Sequence, residues 1–248
     1  MVWPRGIGQL RQEQRRLAAL SPPPWHLAVD ARIGACFVCF AEDPGALAAG
    51  AEAAWSAAVT FHRARRTAAA VVEGATAARY RSGLLALRAG PLLERAVASL
   101  PLRPDVLLVN ATGRDHPRRA GLALHLGAVL DLPTVGVTDR PLSRALDEFE
   151  ELEPGAADGG DDAVPLRLAG VDVAYLVPTR SGSRPLVVHA AWRTDAVTAL
   201  AVVRAVAFRE RTPAPLREAR RLARTARAAA RGEAPWPPGD PGLTRPRR

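Results

Sequence analysis

The chain has 248 residues and no lysine, and Asn110 is its single asparagine; all 34 basic residues are arginine. Cysteine is almost as scarce, with Cys36 and Cys39 only. Their spacing is that of redox and metal motifs. Here it lies inside the apolar run Ile33-Gly34-Ala35-Cys36-Phe37-Val38-Cys39-Phe40, and no second pair exists to complete a tetrahedral zinc site. The two are read as small apolar residues of a strand. No stretch reaches the roughly 18 uninterrupted apolar residues of a membrane span. The N-terminus lacks the order of charge, apolar run and small-residue cleavage site that marks a secretory signal. A soluble, cytoplasmic protein without a membrane partner is expected.

What is abundant is Ala, Arg, Gly and Pro, the signature of a GC-rich coding bias. The formal net charge is +9. A basic surface attracts polyanions over a Debye length, but coding bias alone makes arginine-rich surfaces, so composition leaves both explanations open. Residues classed as hydrophobic make up 48% of the chain, enough for a sizeable core. The length fits one domain, or one domain and a tail.

Residues 9–20 read as a helix, with Leu10, Leu17 and Leu20 at helical spacing, stopped by Ser21-Pro22-Pro23-Pro24. A strand starting at His26 is expected to run through Val29 into Asp30, followed by a second at 34–40. Residues 41–52 read as a loop, and 54–61 and 67–73 as further strands. A helix is expected within 83–99, with Pro91 a candidate for its first turn. Val106 to Val109 is a buried strand by composition, residues 118–130 a helix, and Thr134 to Val137 a strand. Residues 147–163 form an acidic, Gly-rich loop. Residues 168–177 and 186–191 resemble a hairpin across 179–184, and Asp195 caps a helix reaching about Arg209. Beyond Thr212, a basic helix at 216–231 precedes a Pro- and Arg-rich end expected to be disordered. Strands alternating with helices imply an α/β layer fold, divided here into a domain at 1–211 and a partly disordered tail at 212–248.

In such sheets, sites form beyond the carboxyl ends of strands. Asp30, Asn110 and the Thr138-Asp139 step meet that description. Phosphodiester cleavage commonly uses carboxylates that place divalent ions to activate water and offset phosphate charge. Asp30 suits that chemistry; Asn110, being neutral, does not. His116-Pro117-Arg118-Arg119 lies before a helix, where free N–H groups and arginine forks can take phosphate.

Residues 105–137 carry a long, ungapped resemblance to the central block of the endonuclease V family: a strand, a polar loop, His116-Pro117-Arg118, a helix containing Gly121 and His125, then Pro133-Thr134-Val135-Gly136-Val137. Leu10 to Ala18 resembles the family's opening helix, Leu27-Ala28-Val29-Asp30 its first strand, Tyr80 the tyrosine of its wedge, and Pro185 to Leu200 its last strand and helix. The resemblance covers about residues 9–210. It implies an RNase H-like mixed sheet flanked by helices. It also implies cleavage near deoxyinosine in DNA, or inosine in RNA, with Mg2+ or Mn2+. By that alignment Asp30 is a retained metal ligand. Ala89 and Asn110 replace a Glu and an Asp, Asp139 replaces a Lys, and Trp192 and Val197 replace a late His and a late Asp. The wedge keeps Tyr80 but has Arg79 and Ser82 where the family has prolines. The loop of the base pocket keeps Gly113 beside Ala111 and Thr112. Asp172, in Ala169-Gly170-Val171-Asp172-Val173-Ala174-Tyr175, echoes the first-strand motif but falls too late in the chain to be its counterpart.

The expected protein is a catalytically impaired relative that binds DNA or RNA through Tyr80, Gly113, His116, Arg118 and Arg119. One alternative is an active Mg2+- or Mn2+-dependent endonuclease in which Asp30 recruits Asp115 or Asp139. Another is a protein-interaction scaffold.

Overall fold

A computed structural model describes residues 3–41, 51–76, 78–140, 163–207, 210–233, 235 and 243–244. One mixed sheet runs through it. Its strands are β1 (Arg32–Phe40), β2 (Glu52–His62), β3 (Arg65–Thr76), β4 (Val106–Val109), β5 (Thr134–Thr138), β6 (Val164–Leu168), β7 (Val171–Val177), β8 (Leu186–Ala190) and the two-residue β9 (Leu243–Thr244). The order across the sheet is β6-β7-β8-β5-β4-β1-β2-β3-β9. At the centre β1, β4 and β5 lie parallel, with β2 antiparallel on one side and β8 antiparallel on the other. Among the described residues there are five helices: α1 (Ile7–Ala18), α2 (Leu85–Ala98), α3 (Leu122–Leu130), α4 (Ala196–Arg204) and α5 (Ala214–Ala230).

The period-two alternation of the central strands splits the core into two layers. Cys36, Leu107 and Val109 point into the layer with Leu10 and Leu17 of α1, Leu92 and Val97 of α2, and Leu124 and Leu126 of α3. Ala35, Cys39, Val106 and Leu108 point into the other, against Val202 and Val203 of α4 and Leu216, Leu222 and Ala226 of α5. Three residues apart on a strand, Cys36 and Cys39 therefore face opposite sides of the sheet. Both are buried and neither is in a disulfide, as small apolar residues would be. Among the described residues no helix is long and apolar enough to cross a membrane.

Several expectations need correction. No strand occupies residues 26–30. The segment after the prolines crosses as irregular backbone, tied by Trp25 N–H to the Arg193 carbonyl at 2.7 Å, and turns at Ala28–Ala31. Pro91 lies inside α2 rather than at its start. Its missing N–H removes one bond to the preceding turn, a cost reduced by its exposed position. The helix expected from residue 118 begins only at Leu122, because 111–121 is spent on a tightly folded turn. Residues 168–177 are not one strand: Ala169 (φ 53°) and Gly170 (φ 76°) form a two-residue hairpin turn between β6 and β7. Two positive φ values match the twist of the flanking strands, and glycine adopts one without a Cβ penalty. Asp195 caps α4 as expected, accepting from Thr198 N–H at 2.7 Å. The basic helix is α5, and it is no tail. Leu216, Ala219, Leu222 and Ala223 are buried against the sheet, so a domain boundary at 211 would cut the core. Most of the loops read at 41–52 and 147–163, and most of the disordered end read at 232–248, lie outside the described residues, and Glu52 already belongs to β2.

Candidate nucleic-acid interface

The cleft at the carboxyl ends of the parallel strands encloses about 440 Å3. Asn110 from the end of β4 and Thr138-Asp139 from the end of β5 meet there, with Gln14 of α1, Tyr80 and Gly83 of the loop before α2, Thr112, and His116. This is the crevice where an open α/β sheet takes a ligand. Tyr80 stands 66% exposed at the cleft, an aromatic face kept in solvent.

Asp30 is not among these residues. It sits before β1, whereas β1 pairs in parallel with β4 so that Cys36 is opposite Val109. The residue of β1 nearest Asn110 in register is therefore Phe37, and Asp30 lies a strand length away, roughly 20 Å. Asp30 instead pairs with Arg63 at 3.0 Å, on exposed surface. Sequence order suggested Leu-Ala-Val-Asp as the first strand; only the ladder shows that Arg32–Phe40 takes that role.

The other acids are also committed. Asp115 is buried, with Oδ1 2.8 Å from His189 Nδ1 and accepting from Gly113 N–H at 3.0 Å. Burial alone would push its carboxyl up; His189 and the Gly113 N–H outweigh that, and the net direction is downward. His189, fully buried on β8, continues through Nε2 to Thr138 Oγ1 at 2.8 Å, and the threonine hydroxyl donates to the Arg140 carbonyl at 2.8 Å. The chain of contacts fastens the 113–115 turn to β8 and β5. Asp139 lines the cleft, but Arg211 Nη1 holds it at 2.5 Å. Asp172 pairs with Arg167 on the β6–β7 hairpin and lies nowhere near Asn110 in the sheet.

At Asn110, Nδ2 donates to the Val137 carbonyl at 3.0 Å, so the side chain braces β4 against β5. Ala89 is a core residue of α2, Trp192 is buried, and Val197 is exposed. Among the described residues there is no group of three or more His, Cys, Asp or Glu able to hold a metal ion. A divalent ion such as Mg2+ wants near-octahedral oxygen ligands with carboxylate charge. Among the described residues the donors there, Asn110 and one salt-bridged Asp139, do not fit it.

His116 and Arg118 form a brace rather than an open phosphate cradle. Arg118 Nε donates to Gln14 Oε1 at 2.6 Å and Nη2 to the Gly83 carbonyl at 2.9 Å. Gln14, buried on α1, donates to the Ala120 and Gly83 carbonyls. His116 Nδ1 accepts from Arg118 N–H at 3.1 Å, so its Nε2 carries the proton towards the Gly83 carbonyl at 3.2 Å. Burial, then the charge of Arg118, pulls the His116 pKa down to about 4, which keeps the ring neutral. The network joins α1, the Tyr80 loop and the 113–121 turn into one wall. Arg119, with φ 56°, is half-buried beside it. Gly113 is required by proximity: a Cβ there would come within 2.0 Å of the Ala190 carbonyl oxygen.

The loop bearing Tyr80 has a second anchor that sequence reading missed. Arg88 of α2 donates to the Ala78 carbonyl at 3.2 Å, pairs with buried Glu52 at 2.5 Å, and stacks over Phe40 at 4.0 Å. The sequence signal was a lone glutamate opening an apolar strand, which needs a cation once buried.

A parallel-centred sheet with helices on both faces, and an aromatic-flanked cleft at its carboxyl edge, defines an RNase H-like α/β protein. The family model described as Endonuclease V matches residues 33–221. An endonuclease V of Methanopyrus kandleri is 39% identical over 164 residues, 66% of this chain and 67% of the relative. One from Thermus thermophilus is 40% identical over 141 residues, covering 56% and 59%. The crystal structure of endonuclease V from Streptomyces avermitilis superposes with a TM-score of 0.77 at 29% identity, covering 92% of this chain and 96% of that one. A Ciona intestinalis endonuclease V, solved with a 24mer DNA containing inosine, shares the fold with a TM-score of 0.74 at 20% identity, covering 89% and 97%. The chain belongs to the Endonuclease V family. The family match begins at Ile33, so Asp30 falls outside it.

Proposed function

We propose that this protein grips nucleic acid in the manner of its family and does not cut it by a metal-dependent route. The observation that carries the reading is the scarcity of available acids among the described residues of the cleft. Asn110 is bonded to β5, Asp139 is neutralised by Arg211, and Asp115 is buried on His189. Removing one charged catalytic group commonly costs about 3–4 kcal/mol in rate, and here the whole ligand set is replaced. What is retained suits binding: exposed Tyr80 on a loop fixed by Arg88 and Arg118 can stack on an unpaired base. The endonuclease V relatives, one solved on inosine-containing DNA, support DNA or RNA as the partner.

The test is a nicking assay with inosine-containing DNA and RNA, first in Mg2+ and then in Mn2+, beside an Asp139→Ala control and an anisotropy titration on the same substrates. The expected result is intact substrate with binding that weakens steeply as salt rises. Nicking that disappears with EDTA would establish a rebuilt metal site and overturn the proposal.

A further inference from the structure

The edge where β1 ends beside Asn110 carries a cation of its own. Phe37 occupies the position next to Asn110 in the β1–β4 register, and the Arg220 guanidinium of α5 lies over its ring, 5.2 Å from the centroid. Arginine stacks well on an aromatic face, which fixes the plane of its fork. Arg211 and Arg224 act on the same group, and among the described residues Asp139 is the one carboxylate that does so. Asp139 is already claimed by Arg211. Among the described residues three guanidiniums thus share one carboxylate, at the place where a metal-dependent nuclease would need the reverse ratio.

Three other arginines near the cleft are committed. Arg88 is on Glu52, Arg114 on the Ala18 and Leu20 carbonyls, Arg118 on Gln14 and Gly83. Arg220 differs: its Nε is buried without a hydrogen-bond partner among the described residues. A partly buried guanidinium with an unmet donor in a field of like charge repels a divalent cation and favours an oxyanion.

We propose that Arg220, held on Phe37 and flanked by Arg211 and Arg224, is a phosphate site that stands in place of a catalytic metal, taking one backbone phosphate of a bound strand. This rests on the nucleic-acid-binding reading above, but the site itself requires only the phosphate group. Arginine offers a planar, bidentate fork to phosphate oxygens with no need for a metal bridge. The charge that a metal ion would supply to hold the strand is then supplied by the chain, without an ion to activate water.

The full-length protein tests this. A fluorescent single-stranded oligonucleotide is titrated with the wild type, Arg220→Gln and Arg220→Lys, over a range of salt, once in EDTA and once in Mn2+. Affinity is expected to be the same in EDTA and Mn2+. Arg220→Gln should bind about tenfold more weakly, and its slope of log K against log salt should fall by roughly 0.7, the share of one phosphate on a single strand. Arg220→Lys, which keeps the charge, should recover part of the loss and shows that the position tolerates substitution. A folded Arg220→Gln with wild-type affinity and slope overturns the phosphate site while leaving the nucleic-acid reading intact. If the wild type binds no oligonucleotide, the nucleic-acid reading falls, and calorimetry with inorganic phosphate decides the rest. Heat from the wild type that is lost in Arg220→Gln keeps the site, for free phosphate; no heat from the wild type overturns it. Mn2+ binding by the wild type that Arg220→Gln tightens would also overturn the exclusion of metal.

Discussion

Replacing Arg88 by methionine should be one of the most damaging single changes in the molecule. The guanidinium is 10% exposed and Glu52 2% exposed, at 2.5 Å. Methionine keeps the length and apolar stem but leaves the carboxylate buried without this partner. Removing one member of a buried pair costs about 3–5 kcal/mol, because the remaining charge loses its compensation. The stacking on Phe40 and the bond to the Ala78 carbonyl vanish as well. These share one side chain, so they do not add in full. With roughly 2–4 °C per kcal/mol for a chain of this size, the melting temperature should fall by about 6–20 °C in a circular dichroism melt. The double variant Arg88→Met/Glu52→Leu removes both charges and should recover a substantial part of the loss, since apolar replacement of a whole buried pair is often neutral. A single variant within about 1 kcal/mol of wild type by denaturant titration would refute the argument. So would a double variant no better than the single.

Tyr80→Ala should weaken binding of a single-stranded oligonucleotide by about 1–3 kcal/mol and leave the melting temperature unchanged, because the ring is 66% exposed; an unaltered affinity in anisotropy would remove the stacking role. Gly113→Ala should fail to accumulate as folded protein or should melt far below wild type, since the new methyl meets the Ala190 carbonyl at 2.0 Å; a wild-type melt would show that the 113–121 turn yields easily. Stability should decline on acidification: burial lowers the His116 and His125 pKa values to about 4 from 6.5. The unfolded chain then binds more protons between those limits, so stability present above pH 6.5 is lost as pH falls towards 4, by up to about 1.4 kcal/mol per pH unit for each ring. Urea midpoints that do not change between pH 7 and pH 5 would contradict this. Burial raises the Cys36 thiol pKa, so native protein should react with a thiol reagent only as fast as it unfolds.

Local chemistry made much of the fold legible in advance. Apolar runs with β-branched residues marked β4 and β5, Asp195 marked the start of α4, and the leucine spacing marked α1. Each is set by neighbours within a few residues. The long motif at 105–137 carried the family for the same reason: a contiguous string needs no knowledge of distant partners. Asn110, Ala89 and Asp139 were likewise readable as departures, and Tyr80 as a retained aromatic.

What depended on residues far apart in the chain was not readable. The sequence around Asp30 suits the end of a strand; the pairing of Cys36 with Val109 moves the strand later and puts Phe37 at the site. His116 and Arg118 read as open to phosphate, yet Gln14 and Gly83, distant in sequence, consume them. α5 read as part of a basic tail because its arginines dominate the composition, whereas its leucines and alanines close one face of the sheet and bring Arg220 onto Phe37. Composition and periodicity decide which segments become strands and helices, since those preferences are local. Which charges are neutralised, and which one is left to meet a ligand, is decided by the register and packing of distant segments, such as those of Phe37 and Arg220, 183 residues apart, and only the folded chain brings them together.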